Sequence, residues 1–375
     1  MTPAAIRRGD TGPAVAEIRD RLGRLGLLVD GAPGRDHRVD PASDCFDDAV
    51  DRAVRSFQQE RGLTVDGVVG PQTFRRLEEA RWALGDRVLS YSPGHLVSGD
   101  DVLALQQRLS GLGFDLGRVD GVFGVRTDAA LREFQRSVGV DADGTCGPDT
   151  FRAITRLART MSGGGMASTL REMHALESLC SGVADKVVVI DPGHGGADTG
   201  LTHGELRESV VAGDLASRVE GRLAAIGVQV LLTRSPDGDD ALEEGARAAF
   251  ANETGADLVL SLHTDSVGSA APSGCATFYF GDAVAGTGSS LGARFAEMVQ
   301  EEVCARTDLT DCRTHAKTWD LLRMTRMPAV RIECGYLSSP RDARRLSDPA
   351  FRDAVAEGIA AAVVRFFAPT TPDHP

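Results

Sequence analysis

The sequence predicts an α/β domain, a sheet covered by helices on both faces, preceded by two small all-α repeats of three helices each. Three observations carry this. Segments of the first 160 residues recur in the same order, the second half alternates β-rich runs with helical runs, and a small glycine-rich stretch separates the two. At 375 residues the chain exceeds one ordinary core. The expected boundaries are 1–90 for the first repeat, 91–160 for the second, 161–184 for a linker and short helix, 185–368 for the α/β domain and 369–375 for a tail.

In the repeats, RDRLGRLGLL (19–28) matches QQRLSGLGFD (106–115). AVRSFQQERGLTVDGVVGPQTFRRL (53–77) matches ALREFQRSVGVDADGTCGPDTFRAI (130–154). The first pair lies 87 residues apart and the second 77, so copy one carries extra residues, most simply in GAPGRDHRVDPASD (31–44). Val102, Leu105, Leu109 and Leu112 fall on one face of a helix. Ala130, Leu131 and Phe134 continue on a second, and Gly-Pro opens a third, with Pro in a first turn that needs no N–H. MSGGGMAS (161–168) reads as a linker and TLREMHALESLC (169–180) as a short helix.

In the second half, strands are expected over 186–191, 228–233, 258–263, 276–280 and 329–335. Helices are expected over 208–227, 241–255, 289–307 and 349–367. The strands are apolar on both faces, as a sheet covered on both sides requires.

Composition excludes several classes. A net charge of −13 gives no basic face for a phosphate backbone, so no nucleic-acid partner is expected. No apolar run reaches the roughly 18 residues of a membrane span. The seven cysteines are odd in number and include no C-x-x-C pair, which points to free thiols in a reducing compartment. The N-terminal residues show no secretory signal. A cytoplasmic location is therefore expected, with export to the cell wall as the alternative.

Reactive residues of such folds sit beyond the carboxyl ends of strands. His194 follows the first strand in DPGHGG, His263 ends the third, and Glu333 lies near the end of the fifth. The glycines of GHGGADTG have the wrong spacing for a dinucleotide loop, and no P-loop lysine is present. A catalytic zinc site needs three N or O ligands and an open position. His194 and His263 supply two imidazoles, and Glu208 or Glu205 could supply the carboxylate. Glu333 suits a general base or acid.

Two resemblances follow from these motifs. The repeats, with L-x-x-L-G, A-[VL]-R-x-F-Q and D-G-x-x-G-P-x-T-F, resemble the peptidoglycan-binding domains found beside bacterial cell-wall hydrolases. VVVIDPGHGG, LRES, LVLSLHTD and MPAVRIECGYLSSP resemble the zinc-dependent N-acetylmuramoyl-L-alanine amidases of the amidase-3 type, over about residues 186–367. That resemblance implies Zn2+ held by His194, Glu208 and His263, with Glu333 as catalytic acid/base. It also implies hydrolysis of the amide between N-acetylmuramic acid and the L-alanine of the stem peptide. The chain departs from the family wording at Thr264-Asp265, at Ser339 and at Asp198-Thr199-Gly200.

The remaining candidates carry two readings each. Asp191 is a candidate partner of His194 or its loop. His203 is a substrate contact or a solvated loop residue, and His95 and His315 read as solvated. Arg234 and Arg247 bind the anionic stem peptide or form surface pairs. Peptidoglycan lies outside the cell, whereas the thiols and N-terminus point inside. The alternative function is therefore a cytoplasmic, non-catalytic or weakly catalytic regulator of peptidoglycan precursor synthesis, with muramyl-peptide precursors as ligands and a protein partner in that synthesis. Thr370 and Thr371 in the Pro-rich tail could accept a phosphate.

Overall fold

The computed structural model of the chain describes residues 5–28, 44–158, 179–236, 241–264 and 272–369. The extra residues of copy one, the linker and the tail with Thr370 and Thr371 lie largely or wholly outside the described residues, as does the helix expected over 169–180 apart from Leu179 and Cys180. The chain divides into two compact units, Met1–Thr169 with Asp282–Gly288, and Leu170–Gly281 with Ser289–Pro375.

In the first unit, copy one forms α1 (Pro13–Arg24), α2 (Asp48–Glu60) and α3 (Pro71–Glu79). Copy two forms α4 (Asp100–Gly111), α5 (Val125–Val138) and α6 (Pro148–Ala158). Ile18, Leu22, Val54 and Phe57 fill one core, and Leu105, Leu109, Leu131 and Phe134 the other. β1 (Leu89–Ser90) pairs antiparallel with β2 (Thr145–Cys146). Leu84 and Leu89 therefore pack in the second core, ahead of the boundary expected at residue 90.

A buried glutamine pins the Asp-Gly turns of this unit. Gln135 Nε2 donates to Asp143 Oδ1, the Thr145 carbonyl and Thr150 Oγ1 at 2.8, 3.0 and 3.0 Å, while its Oε1 accepts the Gly144 N–H. Gln58 does the same for Asp66, Gly67 and Thr73, and Gln106 for Asp120, Gly121 and Thr127. At the place that the internal repeat pairs with Gln106, copy one has Arg19. Its buried guanidinium donates to the Cys45 carbonyl and to Asp47, the N-cap of α2.

The second unit is built on β3 (Val187–Pro192), β6 (Gln229–Leu232), β7 (Leu258–His263), β8 (Cys275–Asp282), β10 (Asp311–Lys317) and β11 (Ala329–Glu333), in the spatial order β10-β8-β11-β7-β3-β6. The pairs β6–β3, β3–β7 and β7–β11 are parallel. β8 runs antiparallel to β11, and β10 parallel to β8. Strand β9 spans Thr287–Gly288, and β4 (Thr202–His203) pairs with β5 (Leu206–Arg207) as a hairpin.

Helices cover both faces. Val188, Ile190, Leu260 and Ile332 pack among residues of α7 (Glu208–Ala225), α9 (Ser290–Arg306) and α12 (Pro349–Phe367). Val189, Val259 and Phe278 pack opposite, toward α8 (Glu244–Glu253) and α10 (Asp320–Met324). A last helix, α11 (Pro340–Ser347), starts at the Ser339 N-cap. The sheet register then dictates the site. Asp191, Ser261 and Arg331 stand side by side across β3, β7 and β11, and His263 stands beside Glu333 one pleat further on. All five share one face, because alternate residues of a strand point the same way.

Candidate metal centre

His194 sits on the turn that follows β3, with φ of +58°, a region that costs a non-glycine residue. Two buried arginines hold this turn. Arg247 Nη1 donates to Asp191 Oδ1 at 2.7 Å and its Nη2 to the His194 carbonyl at 2.8 Å. Arg234 donates to the carbonyls of Pro192, Gly193 and Ser209 at 3.0, 2.9 and 2.9 Å. Burial and eight contacts to backbone carbonyls make these arginines braces of the loop, not surface pairs. Asp191 also accepts from Thr233 and Ser261 at 2.6 and 2.7 Å. Burial alone would raise its carboxyl, but Arg247 and these donors hold it below the ordinary range.

Glu208, first residue of α7, places Oε2 at 3.1 Å from His194 Nε2 and Oε1 at 3.1 Å from His263 Nδ1. The backbone N–H groups of Leu201 and Thr264 donate to the same carboxylate at 3.1 and 3.0 Å. The ligand atoms of His194, Glu208 and His263 all lie within 4.8 Å of one another, the one such trio among the described residues. Two glycines make room. A Cβ at Gly193 would run into the His263 ring, and one at Gly200, where φ is +60°, would lie 2.6 Å from His194 Cδ2 and 2.7 Å from Glu208 Oε2. Glu205, the rival ligand, is exposed in the β4–β5 turn and His203 is exposed at the end of β4, so neither reaches the trio. His95 and His315 are exposed as well.

The electrostatics divide the two histidines. Burial pushes His263 down to about 4, helped by Arg331 and opposed by Glu208. Burial works on His194 in the same sense, but Glu208 and Asp198 outweigh it and raise its pKa. Burial would raise Glu208, yet the two imidazoles hold it far below the carboxylate range.

Residues 188–365 match the family described as N-acetylmuramoyl-L-alanine amidase, and residues 11–77 and 98–154 match the peptidoglycan binding domain. N-acetylmuramoyl-L-alanine amidase CwlM of Mycobacterium tuberculosis is 44% identical over 375 residues, spanning 99% of this chain and 91% of that protein. The chain belongs to the amidase-3 family. LytC of Bacillus subtilis is 30% identical over 185 residues, which is 49% of this amidase-family chain and 36% of LytC. The catalytic domain of CwlV from Bacillus (Paenibacillus) polymyxa is 33% identical and covers 48% of this chain and 97% of that domain, with a TM-score of 0.44.

Beyond the residues expected from sequence, this amidase-family site contains three more. Asp198 Oδ2 lies 2.8 Å from His194 Nδ1, so the ring's partner is Asp198, while Asp191 reaches only the loop. A hydrogen bond on one ring nitrogen directs the other toward a ligand. Arg331 donates from Nε to Glu333 Oε1 at 2.7 Å, lies 3.7 Å from Glu244, and stacks with its Cζ 4.6 Å from the Trp319 ring centre. Burial opposes the Arg331 charge, but Glu333 and Glu244 raise its pKa. Glu244 is itself pushed up, chiefly by burial. A cavity of about 290 Å3 joins these groups, with Asp198, His194, His263, Glu244 and Arg331 in its wall.

Proposed function

We propose that this chain is a zinc-dependent N-acetylmuramoyl-L-alanine amidase that hydrolyses the amide joining the lactyl group of N-acetylmuramic acid to the L-alanine of the stem peptide. The observation that carries the reading is the convergence of His194, Glu208 and His263 with Glu333 on the adjacent strand. Two imidazoles, one carboxylate and space beside them form a donor set that suits zinc with an open position. Zinc held there supplies Lewis acidity to the attacked carbonyl and to water.

The chain's own residues do the rest. His263, neutral at pH 7, offers the Nδ1 lone pair. Asp198 holds His194 by Nδ1 and leaves Nε2 to the ligand. Glu333 accepts a proton from the attacking water as its oxygen joins the lactyl carbonyl carbon. When the C–N bond breaks, the same carboxyl returns the proton to the leaving L-alanine nitrogen. Arg331 fixes the plane of that carboxylate from one side. Peptidoglycan or a muramyl-peptide precursor is the partner we assign to the two repeats.

A second reading has one observation in its favour. Arg331 commits Glu333 to a buried ion pair, which suits a regulator of precursor synthesis that retains the amidase fold. Location is assigned on the thiols. All seven cysteines are free, as a reducing cytoplasm permits. Among the described residues no helix is long and apolar enough to cross a membrane. Incubating the zinc-loaded full chain with a muramyl-L-alanyl peptide tests the reading. It predicts a peptide with a new L-alanine amino terminus, lost on chelation. Failure of zinc-loaded, folded protein to cut any muramyl peptide leaves the regulator.

A further inference from the structure

We propose that the second repeat carries a carboxylate-binding site that the first repeat has closed, and that its ligand is a free carboxylate of the stem peptide. The proposal rests on the assignment of a muramyl peptide to the repeats and not on cleavage at the metal centre.

The two copies fold alike. The offset of 87 residues sets α1 against α4, and the offset of 77 sets α3 against α6. In copy one, Arg21 of α1 stacks over Phe74 of α3, with its Cζ 4.8 Å from the ring centre. The same guanidinium pairs with two carboxylates, Glu17 at 2.5 Å and Glu78. Further along α3, Arg76 and Glu79 form a buried pair at 2.5 Å. Copy one thus neutralises this place with its own side chains.

Copy two keeps the arginine and the ring but not the acids. Arg108 stands at the position of Arg21, and Phe151 at that of Phe74. Ala104 replaces Glu17, Thr155 replaces Glu78 and Arg156 replaces Glu79. Arg108 Nη1 donates to the Thr155 hydroxyl at 3.1 Å, where Arg21 has a carboxylate. A cavity of about 290 Å3 opens beside it, walled by Phe151, Arg152, Thr155 and Arg156. Arg152 pairs with Asp149 on the exposed surface. Among the described residues neither Arg108 nor Arg156 has a carboxylate partner. On a chain of net charge −13 this is a local basic patch.

Copy one also shows what the place accepts. Its Glu78 carboxylate meets an arginine that lies on an aromatic face. A guanidinium takes a carboxylate through parallel N–H bonds while its plane stacks on a ring. In copy two the ligand supplies the group that Glu78 supplies in copy one. Its carboxylate meets Arg108 and Arg156, and the apolar atoms next to it lie against Phe151. The ring is backed by the loop at Gly85, where φ is +111° and a Cβ would come within 3.0 Å of Phe151 Cζ. A peptide that bears free carboxylates is the ligand class this arrangement fits, and the stem peptide is one.

Calorimetric titration of a muramyl-L-alanyl peptide into the zinc-loaded full chain carrying Glu333→Gln reads binding of the uncut ligand. The same peptide with its carboxylates amidated is titrated in parallel. Thr155→Glu, which copies Glu78, is expected to weaken binding by about tenfold or more, the worth of a lost charge-assisted hydrogen bond. Arg156→Gln, at an exposed position, is expected to do the same, and it serves if Thr155→Glu does not fold. The amidated peptide is expected to bind the unsubstituted repeat about tenfold or more weakly. Arg75→Gln, at the copy-one position matched to Arg152, is expected to leave affinity unchanged. Undiminished binding by folded Thr155→Glu or Arg156→Gln, equal binding of the amidated peptide, or an equal loss in Arg75→Gln would each overturn the proposal. Absence of binding would overturn it too, while cleavage by the chain with Glu333 intact would still uphold the amidase reading.

Discussion

Arg331 Nε lies 2.7 Å from Glu333 Oε1, two residues apart on the same face of β11, with the carboxylate fully buried. Removing one member of a buried ion pair strands the other charge, which costs about 3–5 kcal/mol. Arg331→Leu is expected to destabilise the protein by that amount. Arg331→Leu combined with Glu333→Gln is expected to recover most of it. Urea unfolding of the single and double variants measures both. Equal losses in the two variants would mean that the pair contributes only packing.

Legibility divides along similar lines. The repeats, the central strands and the four motif residues could be read because apolar periodicity and motif wording both mark them. The edge strand β10 could not. Its sequence DCRTHAK alternates partly covered and exposed polar residues, so no apolar run announces it. Helix α10 has five residues, too few to show periodicity. Asp198 looked like a departure in wording, because only the folded turn brings it to the His194 ring. Arg331 did leave a signal. A charge on an apolar strand, two residues before Glu333, shares its face by the period of a strand. Arg234 and Arg247 look like any surface arginine until the fold buries them.

The orientation of His194 by Asp198 has a consequence for metal affinity. Loss of such an outer partner weakens binding by roughly 10- to 100-fold. Asp198→Asn is expected to fall in that range for zinc in competition with a chromogenic chelator. Glu205→Gln and His203→Ala, both exposed, are expected to bind zinc as the parent does.

Space at Gly200 is equally decisive. A methyl group there meets both His194 and Glu208 on a backbone that L-residues rarely adopt. Gly200→Ala is expected to bind zinc less than stoichiometrically while unit one keeps its helices. Metal analysis after dialysis and far-ultraviolet circular dichroism separate the two effects.

Acidity should act through His263. Its pKa falls to about 4 in the metal-free fold, below the unfolded value, so the unfolded chain binds the proton more readily. Its contribution is unchanged above about pH 6.5 and is lost as pH falls toward 4, by about 3 kcal/mol in all. His194 has the opposite sign. Its raised pKa stabilises the fold below about pH 6.5, and that gain disappears as pH climbs through the folded value. Urea unfolding of metal-free protein between pH 4 and 7 should therefore show a shallower loss on acidification in His263→Asn than in the parent.

In the helical unit, Gln135 satisfies the turn that precedes α6. Gln135→Ala leaves the Gly144 N–H and the buried hydroxyl of Thr150 without that partner, and a cost of about 3 kcal/mol is expected. Thermal unfolding of the full chain, followed by helical circular dichroism, measures it.

Product analysis tests the central claim most directly. Zinc-loaded protein and its Glu333→Gln variant, matched in zinc content, are incubated with a muramyl-L-alanyl peptide and the products identified by mass spectrometry. The account predicts free N-acetylmuramic acid and a peptide beginning with L-alanine from the parent, and uncut substrate from the variant. Uncut substrate from both, or equal cleavage by both, would contradict it.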